Sequence, residues 1–110
     1  MVEEPDFDAL VARARSGDRD AFGQVCDRVR PYLMAVAAAG LELDLQGKES
    51  SQDLVQDSFV EAQKLLDRFE GGTLEELRAW MAGIVSNKLR DFRRRYRYSA
   101  KRQVNRERST

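Results

Sequence analysis

Apolar residues recur at three- and four-residue steps along most of the chain, and no stretch alternates in the manner of a strand. This spacing places apolar side chains on one face of an α-helix. The first such segment runs from about Asp6 to Ser16. Gly17 is expected to end it, and the Asp18 side chain to cap the helix that follows. The pattern predicts an all-α fold, a single compact bundle of about four helices.

The second predicted helix carries one apolar face and contains a proline. Pro31 is expected to kink or reset this helix midway, because it has no N–H to donate. From Gly40 to Glu49 the periodicity lapses, which predicts a loop. The face expected in the core consists of Phe22, Val25, Cys26, Val29, Leu33, Val36 and Ala37.

Capping signals predict where the third and fourth helices start. Ser50 with Asp53 resembles a capping box and opens a helix that runs to about Phe69. Thr73 and Glu76 form a full capping box for the next helix. The expected buried residues are Val55, Phe59, Ala62, Leu66 and Phe69 in the third helix, and Leu77, Met81, Ile84, Val85, Leu89, Phe92 and Tyr96 in the fourth.

Beyond the fourth apolar face the chain becomes polar and basic. Residues 99–110 contain only Ala100 and Val104 as apolar residues, so this segment is expected to fray or to serve as a linker. We therefore expect one folded domain at residues 1–98 and a tail at residues 99–110. The spacing of Trp80 favours a half-buried packing residue over an exposed platform.

Charge divides the chain although its total is zero. Residues 1–76 hold 8 Lys and Arg against 17 Asp and Glu, whereas residues 77–110 hold 11 against 2. Two surfaces of opposite sign suggest two partners, with a polyanion such as nucleic acid at the basic end. The acidic strip expected on the outer side of the third helix comprises Asp53, Gln56, Asp57, Val60, Glu61 and Lys64.

The basic run at residues 93–98 interleaves tyrosine rings with guanidinium groups. Arginine neutralises phosphates, and tyrosine can stack on unpaired bases, at about 1–3 kcal/mol per base. The plain alternative is a solvated helix end whose arginines favour the negative pole of the helix dipole. Contact with nucleic acid is the better interpretation, because a solvated face would normally mix both signs.

Catalytic chemistry finds little support in the sequence. There is no histidine, the single Cys26 lies on an apolar helix face, and no glycine-rich phosphate loop follows a strand. The carboxylates are scattered over outer positions, so neither a metal site nor a cofactor is predicted. No stretch approaches the roughly 20 apolar residues of a membrane span. We expect a non-enzymatic cytoplasmic protein without membrane insertion.

Four segments, taken in order, resemble a known family. They are LVARARSGDRDAF at 10–22, DLVQDSFVEA at 53–62, LDRF at 66–69 and WMAGIVSNKLRDFRR at 80–94. Together they resemble conserved region 2 of bacterial RNA polymerase sigma factors, specifically those of the extracytoplasmic-function (ECF) group. Any one segment is weak evidence, but their order and spacing make the resemblance fairly specific, and it covers most of the chain.

The resemblance implies a docking role for the third helix. In sigma factors the helix corresponding to residues 51–69 binds the clamp helices of the RNA polymerase β′ subunit, a basic surface. Electrostatic matching of this kind speeds and orients docking. Without the resemblance, an ordinary acidic helix face is the better interpretation. The polymerase-binding residues implied by position are Asp53, Gln56, Asp57, Val60 and Glu61.

The resemblance also implies that the fourth helix and the loop before it recognise and melt the promoter minus-ten element and hold bases of the non-template strand. Glycines in this loop would let the backbone approach a flipped base and offer free N–H groups. The alternative is that they only end one helix and start the next. The implied DNA-binding residues are Gly71, Gly72, Thr73, Asn87, Lys88, Arg90, Arg94 and Arg95.

The resemblance has a limit at the C-terminal end. Nothing after Ser99 builds the helix-turn-helix domain with which the family reads the minus-thirty-five element. The chain is then either a fragment of a longer protein or a naturally short sigma-like protein, and a fragment is expected. Family members are often held inactive by an anti-sigma factor, which is a further implied partner. The alternative of a different class is a helical protein-interaction module whose basic tail binds RNA or an acidic protein.

Overall fold

The computed structural model describes residues 6–42 and 48–108, and the side chains of residues 6–41 and 51–95. This part of the chain forms four α-helices and one 3₁₀ turn, with no strand. The all-α bundle predicted from the apolar spacing is therefore confirmed. The elements are α1 (Phe7–Arg15), α2 (Arg19–Glu42), α3 (Lys48–Lys64), the 3₁₀ turn Leu66–Arg68 and α4 (Leu74–Arg108).

The corner between α1 and α2 forms as the sequence predicts. Gly17 follows α1 with a φ of 106°, a conformation that glycine adopts without steric cost. Asp18 then accepts a hydrogen bond from the Ala21 N–H at 3.1 Å, and Arg13 contacts its other carboxylate oxygen at 2.6 Å. The bond from Ala21 and then the Arg13 side chain lower the pKa of the Asp18 carboxyl. The cap predicted at Asp18 is confirmed.

Helix boundaries around the predicted loop at 40–49 differ from the prediction. α2 continues through Pro31 as far as Glu42, because Pro31 lies on the exposed side and Leu41 is buried in the core. α3 begins at Lys48, two residues before the predicted cap at Ser50, and it ends at Lys64. Residues 40–42 and 48–49 of the predicted loop are therefore helical, and residues 43–47 lie outside the described residues.

The last helix is longer than the sequence predicts. α4 runs without a break over 35 residues, which is about 52 Å at a rise of about 1.5 Å per residue. Residues 99–108 are helical rather than frayed, in keeping with the strong helix propensity of Lys, Arg, Gln and Glu. The division of the chain into a domain at 1–98 and a tail at 99–110 stays a prediction.

All four helices contribute to one hydrophobic core. The predicted faces of α2, α3 and α4 are buried within it, apart from Val36 and Phe92, which are half-buried at its margin; the Tyr96 side chain lies outside the described part. Ser58 is also buried, because its hydroxyl donates to the Leu54 carbonyl at 2.7 Å. Trp80 is half-buried and its ring lies 5.2 Å from the Phe69 ring, which confirms its packing role.

Gly40 allows α2 and α4 to approach closely. A Cβ atom at this position would stand 2.6 Å from Leu89 Cδ1, so a larger residue would force the buried Leu89 side chain to shift. Arg93 Nη2 donates to the Gly40 carbonyl at 3.0 Å. That carbonyl belongs to the last turn of α2, where a carbonyl has no partner within its own helix. The first arginine of the basic run therefore joins two helices.

Candidate functional site

The outer side of α3 presents all the residues predicted for polymerase binding. Val55, Phe59 and Ala62 are buried on the inner side, so the helical period turns the intervening positions outward. Val60 is 46% exposed, an unusual value for a large apolar side chain in this molecule. We call this surface the α3 face; it comprises the exposed residues Asp53, Gln56, Asp57 and Val60 and the partly exposed Glu61.

The loop between the 3₁₀ turn and α4 is tightly organised. Thr73 Oγ1 accepts the Glu76 N–H at 3.1 Å, and Glu76 Oε1 accepts bonds from the Thr73 hydroxyl at 3.0 Å and the Gly72 N–H at 3.3 Å. The predicted capping box is confirmed. The bond from Gly72 and then the Thr73 hydroxyl lower the pKa of the Glu76 carboxyl.

The two glycines of this loop have structural roles within the protein that the sequence did not reveal. A Cβ at Gly71 would lie 2.6 Å from the Phe69 ring and 2.9 Å from Glu76 Cβ, so packing alone requires glycine there. The Gly72 N–H, expected to be available to a base, is instead donated to Glu76. Among the described residues, the Gly71 N–H and the Gly72 carbonyl have no hydrogen-bond partner. These are the backbone groups that remain for a ligand.

The predicted DNA-binding residues of α4 form two adjacent stripes. Asn87, Arg90 and Arg94 follow each other at steps of three and four residues, and all three are exposed. Lys88 and Arg95 lie seven residues apart on the neighbouring stripe. Arg94 also lies 3.7 Å from Asp91, an exposed contact of little energetic weight. Within its described side chains, the basic run thus divides into the outward Arg94 and Arg95 and the inward Arg93, which binds the end of α2.

Lys88 joins the two predicted surfaces. Its Nζ lies 3.0 Å from Glu61 Oε2, so one predicted DNA-binding residue is paired with one predicted polymerase-binding residue. The two surfaces therefore meet along the groove between α3 and α4 rather than occupying opposite sides of the bundle. The pair is partly exposed, with Lys88 at 28% and Glu61 at 45%, so it is expected to be weak and exchangeable.

Two features that could support catalysis, a reactive thiol and a metal site, are missing from the described part of the chain. Burial raises the pKa of the Cys26 thiol to about 12, so almost no thiolate is present at neutral pH. No group of His, Cys, Asp and Glu side chains in this part is arranged to hold a metal ion.

None of the helices in the described part of the chain is long and apolar enough to cross a bilayer.

Comparison with known proteins identifies the family. The model of the family described as Sigma-70 region 2 matches residues 27–98, more than half of the chain. The chain belongs to the sigma-70 region 2 family. It is 38% identical over 94 residues to RNA polymerase sigma factor NccH of Alcaligenes xylosoxydans xylosoxydans, which covers 84% of this chain and 47% of that protein. It is 37% identical over 94 residues to RNA polymerase sigma factor CnrH of Cupriavidus metallidurans, and this alignment covers 86% of this chain and 44% of that protein.

The family assignment confirms the resemblance seen in the sequence, and the two relatives support the ECF group. Sigma factors are not enzymes, which agrees with the expectation for this chain. The region 2 chain spans slightly less than half the length of these two relatives. No solved structure gives a significant match. The family match covers the α3 face, the loop and α4 as far as residue 98, whereas α1 precedes it.

Proposed function

We propose that this region 2 chain takes part in transcription initiation by binding the RNA polymerase core through the α3 face and opening the promoter minus-ten element with the loop and α4. The partners are then the β′ clamp helices and the non-template strand, and the place of action is the cytoplasm. The observation that carries the proposal is the outward orientation of the whole α3 face in a chain of this family.

The α3 face has the composition of a docking surface. Three carboxylates, from Asp53, Asp57 and Glu61, follow one another at four-residue steps in a row beside the exposed Val60. Carboxylates attract and orient a basic partner, while burial of the exposed 46% of the valine would add about 1 kcal/mol. Gln56 supplies both a donor and an acceptor within the same patch. A basic helical surface with an apolar centre is the matching partner.

The charges around the loop favour contact with bases rather than with phosphates. Glu70, Glu75 and Glu76 lie in or beside the loop, and Asp8 of α1 reaches the Leu74 N–H at 2.8 Å. These four carboxylates outnumber the Arg15 guanidinium that contacts the loop and so repel a phosphate, although the start of a helix would otherwise attract one. Phosphate contacts then fall to the arginines of α4. Asn87 lies about 21 Å along the helix from Thr73, a distance that about six nucleotides span at the duplex rise of about 3.4 Å and that fewer span once the strand is unstacked.

The proposal is tested by measuring binding of the 110-residue chain to core RNA polymerase and to labelled oligonucleotides. We expect a complex with the core enzyme and an affinity at least about tenfold higher for single-stranded non-template minus-ten DNA than for the same sequence as a duplex, because the duplex must first unstack. The template strand serves as the control. Failure to bind the core, or equal affinity for any duplex, would contradict the proposal and favour the interaction-module alternative.

Glu61→Gln is expected to have opposite effects on the two partners. It removes a carboxylate from the α3 face and releases Lys88, so affinity for the core should fall while affinity for single-stranded DNA rises about twofold to fivefold. Fluorescence anisotropy with a labelled oligonucleotide measures the second effect. Asp57→Asn makes the same charge change on the same face, and an equal rise in that variant would attribute the effect to net charge instead of to Lys88.

A further inference from the structure

We propose that α1 positions the loop for base contact, with Asp8 and Arg15 as positioning residues. This inference rests on the proposed function of the loop. α1 lies before the segment matched by the family model, although Arg15 falls within the first of the four segments that resemble the family. Both side chains reach the loop across more than 50 residues of sequence, and both bind its backbone rather than its side chains.

Arg15 holds one peptide plane in the middle of the loop. Its Nη1 donates to the Gly71 carbonyl at 2.7 Å, and its guanidinium carbon lies 5.7 Å from the centre of the Phe69 ring. The N–H of the same peptide unit belongs to Gly72 and is donated to Glu76. Because the C=O and N–H of a trans peptide point in opposite directions, these two bonds hold the plane from both sides.

Asp8 fixes the other end of the loop. Its Oδ1 accepts the Leu74 N–H at 2.8 Å. Leu74 is the first residue of α4, where an N–H has no acceptor within the helix. Thr73 satisfies the N–H of Glu76, so the two caps together determine where α4 begins and how the chain enters it.

The two positioning residues act as a unit because α1 is itself rigidly placed. Asp8 and Arg15 lie seven residues apart on one side of the helix, about 10.5 Å along its axis. The helix is anchored in the core by its buried residues, namely Leu10, Val11 and Ala14. Because α1 is fixed in the core, Asp8 and Arg15 also fix the position of the Gly71–Gly72 peptide. The adjacent Gly71 N–H and Gly72 carbonyl remain available to a base. Asp8 and Arg15 are expected to influence base selection without touching DNA.

The test compares two arginine variants that make the same chemical change. Arg15→Met removes the bond to the Gly71 carbonyl. Arg13→Met removes a positive charge from the same end of α1, but the Arg13 side chain pairs with Asp18 and not with the loop. Each chain is bound to core RNA polymerase. The probes are a single-stranded oligonucleotide selected by the wild-type complex from a pool with six randomised central positions, and a scrambled oligonucleotide of the same composition.

For Arg15→Met we expect the ratio of affinities for selected over scrambled DNA to fall about threefold to tenfold, with affinity for the core unchanged. Amide hydrogen exchange at Gly72 and Leu74, whose N–H groups are hydrogen-bonded, should accelerate in the same variant. Arg13→Met should change neither quantity. A second pair of variants tests Asp8. Asp8→Ala should lower the ratio of affinities for selected over scrambled DNA, whereas Asp8→Asn keeps an acceptor for the Leu74 N–H and should leave that ratio unchanged.

An unchanged ratio in both Arg15→Met and Asp8→Ala would overturn the inference. A loss of affinity for the core as large as the fall in the DNA affinity ratio would also overturn it, because that result indicates general loss of the fold rather than misplacement of the loop. If the wild-type complex selects no sequence from the pool, the proposed function fails. The exchange rates at Gly72 and Leu74 still test the contact between α1 and the loop in that case, and equal rates in Arg15→Met and wild type would overturn it.

Discussion

Asp57→Lys is expected to lower the affinity of this chain for the β′ clamp helices by about a hundredfold. Asp57 is exposed on the α3 face, one helical turn from both Asp53 and Glu61. A lysine there places like charges together if the partner surface is basic, as the family resemblance implies. Such contacts cost several kcal/mol, and a loss of about 2.7 kcal/mol corresponds to a hundredfold change. Titration of labelled clamp helices at constant ionic strength measures the effect.

The control for this substitution is Asp67→Lys, which makes the same charge change elsewhere. Asp67 is exposed on the 3₁₀ turn and does not belong to the α3 face. It should leave the affinity within about twofold, because exposed charges beyond a Debye length of about 8 Å are largely screened at physiological salt. Equal losses in the two variants would mean that overall charge, not the α3 face, governs docking. Gln56→Ala should show a smaller loss than Asp57→Lys.

Replacing Arg94 and Arg95 together with alanine is expected to weaken binding of single-stranded DNA on the order of tenfold and to flatten its salt dependence. Both arginines are exposed on α4. Each phosphate contact to a single strand contributes about 0.7 to the slope of log affinity against log salt concentration, so two lost contacts should reduce the slope by about 1.4. Binding isotherms between about 50 and 200 mM salt measure both quantities.

Two other exposed arginines provide the matched control. Arg19 begins α2 and Arg68 lies in the 3₁₀ turn, so their double alanine variant loses the same charge outside α4. Its slope should equal that of the wild type. A slope that changes equally in both double variants would contradict phosphate contact by α4. Arg93→Ala should instead lower the free energy of unfolding, because Arg93 binds the Gly40 carbonyl.

The elements that the sequence predicts well depend on signals a few residues apart. The Gly17 corner, the Asp18 cap and the box formed by Thr73 and Glu76 each require only neighbouring residues. The apolar faces of the helices are likewise read from steps of three and four residues. Helix ends near Gly40 were misplaced because burial of Leu41 against distant residues extends α2.

Contacts between distant segments could not be read from this one sequence. Lys88 pairs with Glu61 across 27 positions, and Arg93 bonds Gly40 across 53. Both cations look, in the sequence, like their exposed neighbours in the same basic helix. The role of Arg15 was missed for the same reason, since its partner lies 56 residues away. Residue type and spacing identified the two surfaces but not the contacts that join and fix them.

The bonds from α1 to the loop bear on how relatives should be compared. A fragment trimmed to residues 27–98 would begin inside α2 and would leave the Gly71 carbonyl and the Leu74 N–H without their partners. Promoter preferences measured on such a fragment would then reflect a loop that Asp8 and Arg15 no longer hold in position. Conversely, a chimaera that exchanges only the first 18 residues between two relatives should carry over part of the donor's promoter preference, although no base-contacting residue has been altered.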